Sequence, residues 1–260
     1  MPTFTAKDVQ ELRKSTGAGM MDAKRALTDA DGDFEAALQI LREKGLAKAA
    51  TRLDRENAEG AVSIATDGSR AAALVQLKAE TDFSAKSDAF QSLVKRLAEA
   101  VLASGPDAVS DFTAEIDDLK LSTKENIEVG RVERFEATDG SVVDGYLHGG
   151  GRAGVLIEGR DVTPEVLHEI ALHVAFAKPS VLSRDEIPAD AVEKERAALL
   201  EITKKEGKPE GAWPKIVEGR LNAWYGDQVL LEQGVLGEKE TVTQRIGSGT
   251  ITRFVLATIG

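Results

Sequence analysis

The sequence predicts an α+β protein: a small three-helix N-terminal module, two related antiparallel β-sheet/helix subdomains, and a helical-hairpin (coiled-coil) insertion. Three observations predict this class. Apolar residues recur at helical spacing over the first 45 residues and again over 189–225. Short apolar runs flanking glycine turns lie between these stretches, as strands of hairpins do. The second strand-turn-strand-helix stretch also repeats the first. Aligning "GSRAAALV" at 68–75 with "GGRAGVLI" at 150–157 matches glycine, arginine, alanine and the apolar strand at a constant offset of 82, and Thr81 then falls on Thr163. Two copies are too few for a solenoid, so the repeat reads as a duplicated β-β-α subdomain.

Each element follows from its local pattern. Thr5 with Asp8 gives a capping signal for a first helix whose apolar face is Val9 and Leu12, and "TGAG" at 16–19 breaks it. Met20, Met21, Ala23 and Leu27 mark a second helix, ended by "DADGD" at 29–33. Asp33 caps a third, with Phe34, Ala37, Leu38 and Leu41 inside and Gly45 as its expected stop. The polar run at 47–60 lacks apolar periodicity and reads as a tether. "GAVSIAT" and "AAALVQLK" flank Asp67-Gly68, a strong hairpin signal. A helix follows from about 87 to 103, carrying Phe90, Leu93, Val94, Leu97 and Val101. "NIEVGRVERFEA" at 126–137 is expected to be a strand of the second sheet, with "SVVDGYLH" and "AGVLIEG". Leu167, Ile170, Ala171 and Val174 define the helix at 164–177, which Pro179 closes. Two helical patterns then meet at "EGKPEG", the first with Val192, Leu199 and Ile202 facing one way, the second with Ile216, Val217, Leu221 and Trp224. They read either as an antiparallel arm or as ordinary packed helices. "QVLLEQG" and "TITRFVLATI" read as strands. The expected boundaries are 1–46 for the module, 47–59 for the linker, 60–138 for the first subdomain, and 139–260 for the second with the hairpin at 183–226.

Composition excludes several functions. The chain has no cysteine, which removes disulfides, thiolate catalysis and cysteine-ligated metal together. No apolar run reaches the length of a membrane span and the amino end lacks the pattern of a signal peptide, so a cytoplasmic location without membrane association is expected. A net charge of −11 repels a phosphate backbone, and the sequence shows no contiguous basic patch, so direct nucleic-acid binding is not expected and a protein partner is. Self-association into a homodimer is left open.

Motifs for covalent chemistry fail on context. "GGGRAG" at 149–154 satisfies G-x-G-x-x-G, but it joins two strands, whereas a dinucleotide fingerprint opens a helix. "HEIALH" places His168 and His173 at i and i+5, on different helix faces, so they do not share a metal; His173 reads as a satisfied core histidine. There is no P-loop and no framed nucleophile. No cofactor, metal or enzymatic activity is expected.

"AETDFSAKS" at 79–87 stands apart. Phe83 follows the strand pattern and precedes the helix pattern, and belongs to neither. It is either a hydrophobic staple on the next helix or an aromatic presented to something else.

"ELRKSTGAGMMDAKRAL" at 11–27, "AETDFSAKS", "GYLHGGGRAGVLIE" at 145–158 and "ALHVAFAKP" at 171–179 together closely resemble the bacterial translation elongation factor Ts family, in order and over essentially the whole chain. That family comprises guanine-nucleotide exchange factors for elongation factor Tu. The resemblance implies a UBA-like N-terminal module, two similar sheet subdomains and a coiled-coil insertion. It also implies that Thr81, Asp82 and Phe83 form a wedge pushed toward the magnesium and phosphate site of elongation factor Tu, and that Arg13, Met20, Met21 and His148 are further partner contacts. On spacing alone Met20 and Met21 read equally as module core, and His148 as a surface turn residue. Family members often have Asn-Cys ahead of the Glu-Thr-Asp-Phe run and valine after it, where this chain has Lys78, Ala79 and Ser84; Ser122-Thr123-Lys124 replaces a common Lys-Ile-Gly. Some members continue into a C-terminal helical module, from which no contact is expected here. The competing reading is a UBA-like binding module on a scaffold, without exchange activity.

Overall fold

Capping chemistry sets the amino-terminal helices of the computed structural model, which describes residues 4–138 and 140–260. Helix α1 (Ala6–Thr16) starts at a full capping box: the Thr5 hydroxyl accepts from the Asp8 N–H and the Asp8 carboxylate accepts from the Thr5 N–H. Helix α2 (Met20–Asp29) and helix α3 (Phe34–Ala50) follow, α3 capped by the Asp33 carboxylate on the Ala36 N–H. Their shared core is Leu12, Ala23, Ala26, Leu27 and Ala37, all fully buried. Helix α3 does not stop at Gly45. It continues to Ala50: Gly45 does not take the positive φ of a helix stop, and it serves instead as a close approach, where a Cβ would lie 2.3 Å from Leu121 Cδ2. The first part of the expected tether is therefore helix.

Strands β1 (Glu59–Asp67) and β2 (Ala71–Ala79) form the first hairpin. A four-residue turn of helix, α4 (Asp82–Ala85), precedes α5 (Asp88–Ser104), and α6 (Thr113–Thr123) leads into β3 (Glu128–Glu136). Strand order in this sheet is β1-β2-β3, so residues 126–137 join the first sheet and not the second. Long-range hydrogen bonds explain the choice. The buried Gln76 side chain accepts the Arg131 N–H at 3.1 Å, and a Cβ at Gly130 would lie 2.4 Å from its Oε1, so a larger residue there would push the Gln76 amide out of this hydrogen bond. Asn126, just upstream, donates from Nδ2 to the Arg55 carbonyl.

The second sheet has the order β4-β5-β6, from β4 (Ser141–His148), β5 (Ala153–Arg160) and β6 (Thr250–Thr258). Strands β4 and β5 are antiparallel, with Ser141 opposite Arg160 and His148 opposite Ala153. Helix α7 (Pro164–Ala177) covers this sheet through Leu167, Ile170, Ala171 and Val174, against Val155, Ile157 and Ile251. The offset of 82 is visible in the caps: Thr81 caps α4 and Thr163 caps α7.

Helices α8 (Ala189–Lys205) and α9 (Trp213–Gln228) pack on each other. Ile202 does not join their seam, being 47% exposed, whereas Thr203 is fully buried, its hydroxyl donating to the Leu199 carbonyl. The segment 228–234 is not a strand. Val229 makes one isolated parallel bridge to Val181, and Leu230–Glu232 then turns as 3-10 helix, with Leu230 buried in the α7 core. Helix α10 (Val242–Ile246) precedes β6.

The chain divides into two compact units: residues up to Ser63 with Leu74–Glu133 and Thr258–Gly260, and Ile64–Ala73 with Arg134–Ala257. Among the described residues no helix is long and apolar enough to cross a membrane.

Candidate functional site

The turn at residues 81–85 belongs to the first unit and is built around one carboxylate. Strand β2 ends at Ala79, and the chain must leave it with its backbone donors satisfied. Glu125, after α6, meets that need. Its Oε2 accepts the N–H groups of Glu80 and Thr81, both at 3.2 Å. Its Oε1 accepts the Thr81 hydroxyl at 2.7 Å and the Ser84 hydroxyl at 2.6 Å. The grip is reciprocal, since the Glu80 carboxylate accepts the Asn126 N–H at 2.6 Å and pairs with Arg55. Ser84 thus contributes a hydrogen bond to the turn.

Thr81 then caps α4 by accepting the Ser84 N–H, and the Ser87 hydroxyl donates to the Ser84 carbonyl while capping α5 on the Phe90 N–H. Gln91 Nε2 donates to the Ala85 carbonyl at 2.6 Å. These bonds bury Ser84 and Ala85, and the helical geometry turns the two preceding residues outward. Phe83 is 85% exposed, which rules out the staple, since a staple must be covered by the helix it stabilises. Asp82 pairs with Lys86 at 2.7 Å, and the hydrogen bond from the Lys86 ammonium holds its carboxyl below the usual range, so the tip carries a fixed anion beside the exposed ring.

The other residues singled out in the sequence lie on the surface. Met20 and Met21 are 44% and 67% exposed, which removes the core reading for both, and Arg13 is exposed on α1 in the same unit. His148, at the end of β4 in the second unit, is also exposed, its Nδ1 3.0 Å from the Tyr146 hydroxyl. Glu125 escaped the sequence reading: it lies 44 residues from Thr81, and no local pattern marks it as the anchor.

The "GGGRAG" stretch turns β4 into β5, the His148 carbonyl accepting the Gly151 and Arg152 N–H groups. His168 is on the surface beside Asp144, whereas His173 is 1% exposed, accepts the Leu236 N–H at Nδ1 and so donates from Nε2 to Gln233. Burial lowers the His173 pKa and keeps the ring neutral. Among the described residues no group of three or more potential metal ligands comes together.

The profile of the family described as "Elongation factor TS" matches residues 80–260. "Elongation factor Ts" of Mycobacterium avium (strain 104) is 42% identical over 282 residues, covering 100% of this chain and 99% of the relative. The chain belongs to the elongation factor Ts family. Other members show the same reach: that of Clavibacter michiganensis subsp. michiganensis is 40% identical, with 100% of both chains covered, and that of Deinococcus radiodurans is 38% identical, covering 98% of this chain and 99% of its own. The turn that presents Phe83 therefore opens the part of the chain that the elongation factor Ts profile matches.

Proposed function

We propose that this chain is a guanine-nucleotide exchange factor that binds elongation factor Tu in the cytoplasm and promotes GDP release by disturbing the magnesium and phosphate site. No covalent step is part of this function. The observation that carries the reading is Phe83, 85% exposed on a turn whose backbone is fixed by Glu125. A large aromatic held out in water is costly unless a partner buries it, and such burial yields roughly 1.5–3 kcal/mol.

The mechanism follows from what holds GDP. Backbone amides surround its phosphates, and Mg²⁺ demands near-octahedral geometry. An aromatic wedge between the elements that carry those groups displaces them without touching the guanine. Asp82, held in its ion pair with Lys86, stands beside the ring at the tip. Linkage makes the effect reciprocal: the chain weakens GDP binding by the factor by which GDP weakens its own. Arg13, Met20 and Met21 on the three-helix module, whose last helix runs to Ala50, supply further contacts, as does His148 of a second subdomain at 139–260, with α8 and α9 as its hairpin insertion at 183–226.

The test is release of fluorescent GDP from elongation factor Tu. The intact chain should accelerate it, and Phe83→Ala should slow the accelerated rate by about one to two decades with the melting temperature nearly unchanged. Failure of the intact chain to accelerate release would leave a binding module without exchange activity.

A further inference from the structure

The first unit holds a cleft of about 1210 Å³ bordered by α1, α2, α3 and α6, with α5 closing one side. Five leucines, Leu38, Leu41, Leu93, Leu119 and Leu121, supply its apolar lining. The charged lining is unlike the chain as a whole, whose net charge is −11. Eight lysines and arginines line the cleft, against Asp22, Glu115 and Asp118. Ion pairs account for three of the cations: Arg42 with Asp118, Arg96 with Glu115, and Lys44 with Asp29. Lys14, Arg25, Lys48, Arg52 and Lys124 remain, and among the described residues none of these five makes an ion pair. Helix α2 also opens onto the cleft at Gly19, where no side chain caps its N–H groups.

One such cation is ordinary surface chemistry; Lys48, for example, offsets the carboxyl-end dipole of α3. Five from separate elements around one cleft, with Asp22 the only unpaired lining carboxylate, create a local positive field that bulk charge does not cancel, because screening confines each charge to about 8 Å at physiological salt. We infer that this cleft binds a small polyphosphate-bearing ligand of nucleoside-triphosphate size. Lys48, Arg52 and Lys124 hold the phosphate chain, and the partly exposed Leu38 and Leu121 receive an apolar or heterocyclic body. A nucleic-acid strand fits less well: no aromatic residue lines the cleft for base stacking, and the acidic remainder of the chain repels a long backbone.

The experiment titrates the full chain, without elongation factor Tu, against ATP carrying an N-methylanthraniloyl fluorophore, read by anisotropy at about 50 and 200 mM salt. Saturable binding that weakens with salt and is displaced by inorganic tripolyphosphate is expected. Unlabelled ATP displacing the probe at lower concentration than tripolyphosphate would assign part of the recognition to the nucleoside; equal concentrations would assign it to the phosphate chain, and either supports the site. The double variant Lys48→Gln, Arg52→Gln should lose about tenfold or more in affinity, and so should Lys14→Gln, Arg25→Gln. Lys205→Gln, Lys215→Gln, an equal charge change on α8 and α9, should leave affinity unchanged. Absence of saturable binding, equal loss in the α8–α9 variant, or tighter displacement by a thymidine oligonucleotide of about 12 residues at equal phosphate concentration would overturn the proposal.

Discussion

Glu125 accepts four hydrogen bonds, from two backbone N–H groups and two hydroxyls, and through them determines where Asp82 and Phe83 stand. Replacing it by alanine leaves the Glu80 and Thr81 donors to water and frees the turn. Glu125→Ala should therefore destabilise the protein by about 1–3 kcal/mol, read as a lower urea midpoint. It should also slow GDP release through Phe83. If Glu125 acts by positioning that ring, adding Phe83→Ala to Glu125→Ala should slow release little beyond Phe83→Ala alone; fully multiplied effects would contradict this. His173 makes a different expectation, one about acidity. Its folded pKa is depressed below the ordinary 6.5 by burial, so above pH 6.5 both folded and unfolded rings are neutral and stability is unaffected. Below 6.5 the unfolded ring takes up a proton that the folded ring refuses, and stability falls until the folded pKa is passed. The melting temperature should drop on acidification from about pH 7 to 5, and His173→Gln should flatten that drop.

Among the elements, those whose signals are local were legible and those set by distant partners were not. The caps at Thr5 and Asp33 are written in side chains next to the helices they start. The close packing of Gly45 on Leu121 and the hydrogen bond of Gln76 to β3 join residues far apart in sequence; neither can be read in a window. The segment 228–234 has the apolar run of a strand, but Gln233 is drawn to His173 and to the Asp227 carbonyl, which curls it instead. Gln76 gives the element-scale test. Its Nε2 donates to the Thr258 carbonyl at 2.8 Å while its Oε1 receives the Arg131 N–H, so one side chain ties β2 to β3 and to the end of β6. Gln76→Leu keeps the volume and breaks both bonds. A loss of about 1–3 kcal/mol is expected, with faster hydrogen exchange at the Arg131 amide; an unchanged amide would remove Gln76 as the determinant of sheet membership.

At the scale of the whole molecule, the three amino-terminal helices have their own core of Leu12, Ala23, Ala26, Leu27 and Ala37, and Met20 and Met21 are not part of it. Deleting residues 1–50 should weaken binding to elongation factor Tu and, because it removes the α3 surface that packs on Leu121 and pairs with Asp118, should also lower the melting temperature of the remainder. Changing Met20 and Met21 together to glutamine should reproduce much of that loss with helical circular dichroism unaltered. Unchanged affinity after the deletion would confine the contact surface to the rest of the chain. The fold class was legible because periodicity and the repeat are spread over the whole sequence, whereas Phe83 stood out by breaking both neighbouring patterns but its exposure did not follow from them, a staple and a presented ring both fitting. The charged cleft was not. Its unpaired cations are scattered from position 14 to position 124, and only folding gathers them.

The hydrogen bonds beneath Phe83 bear on how fast two molecules can join. A recognition segment that is disordered before contact must fold during the collision, and that step slows productive capture. Here Thr81, Ser84 and Ser87 have already fixed the backbone, Glu125 accepting the Thr81 and Ser84 hydroxyls and the Ser84 carbonyl accepting the Ser87 hydroxyl. The encounter therefore contains no folding step at this tip, and its rate is governed by diffusion, by orientation and by whatever the partner must open to admit the ring.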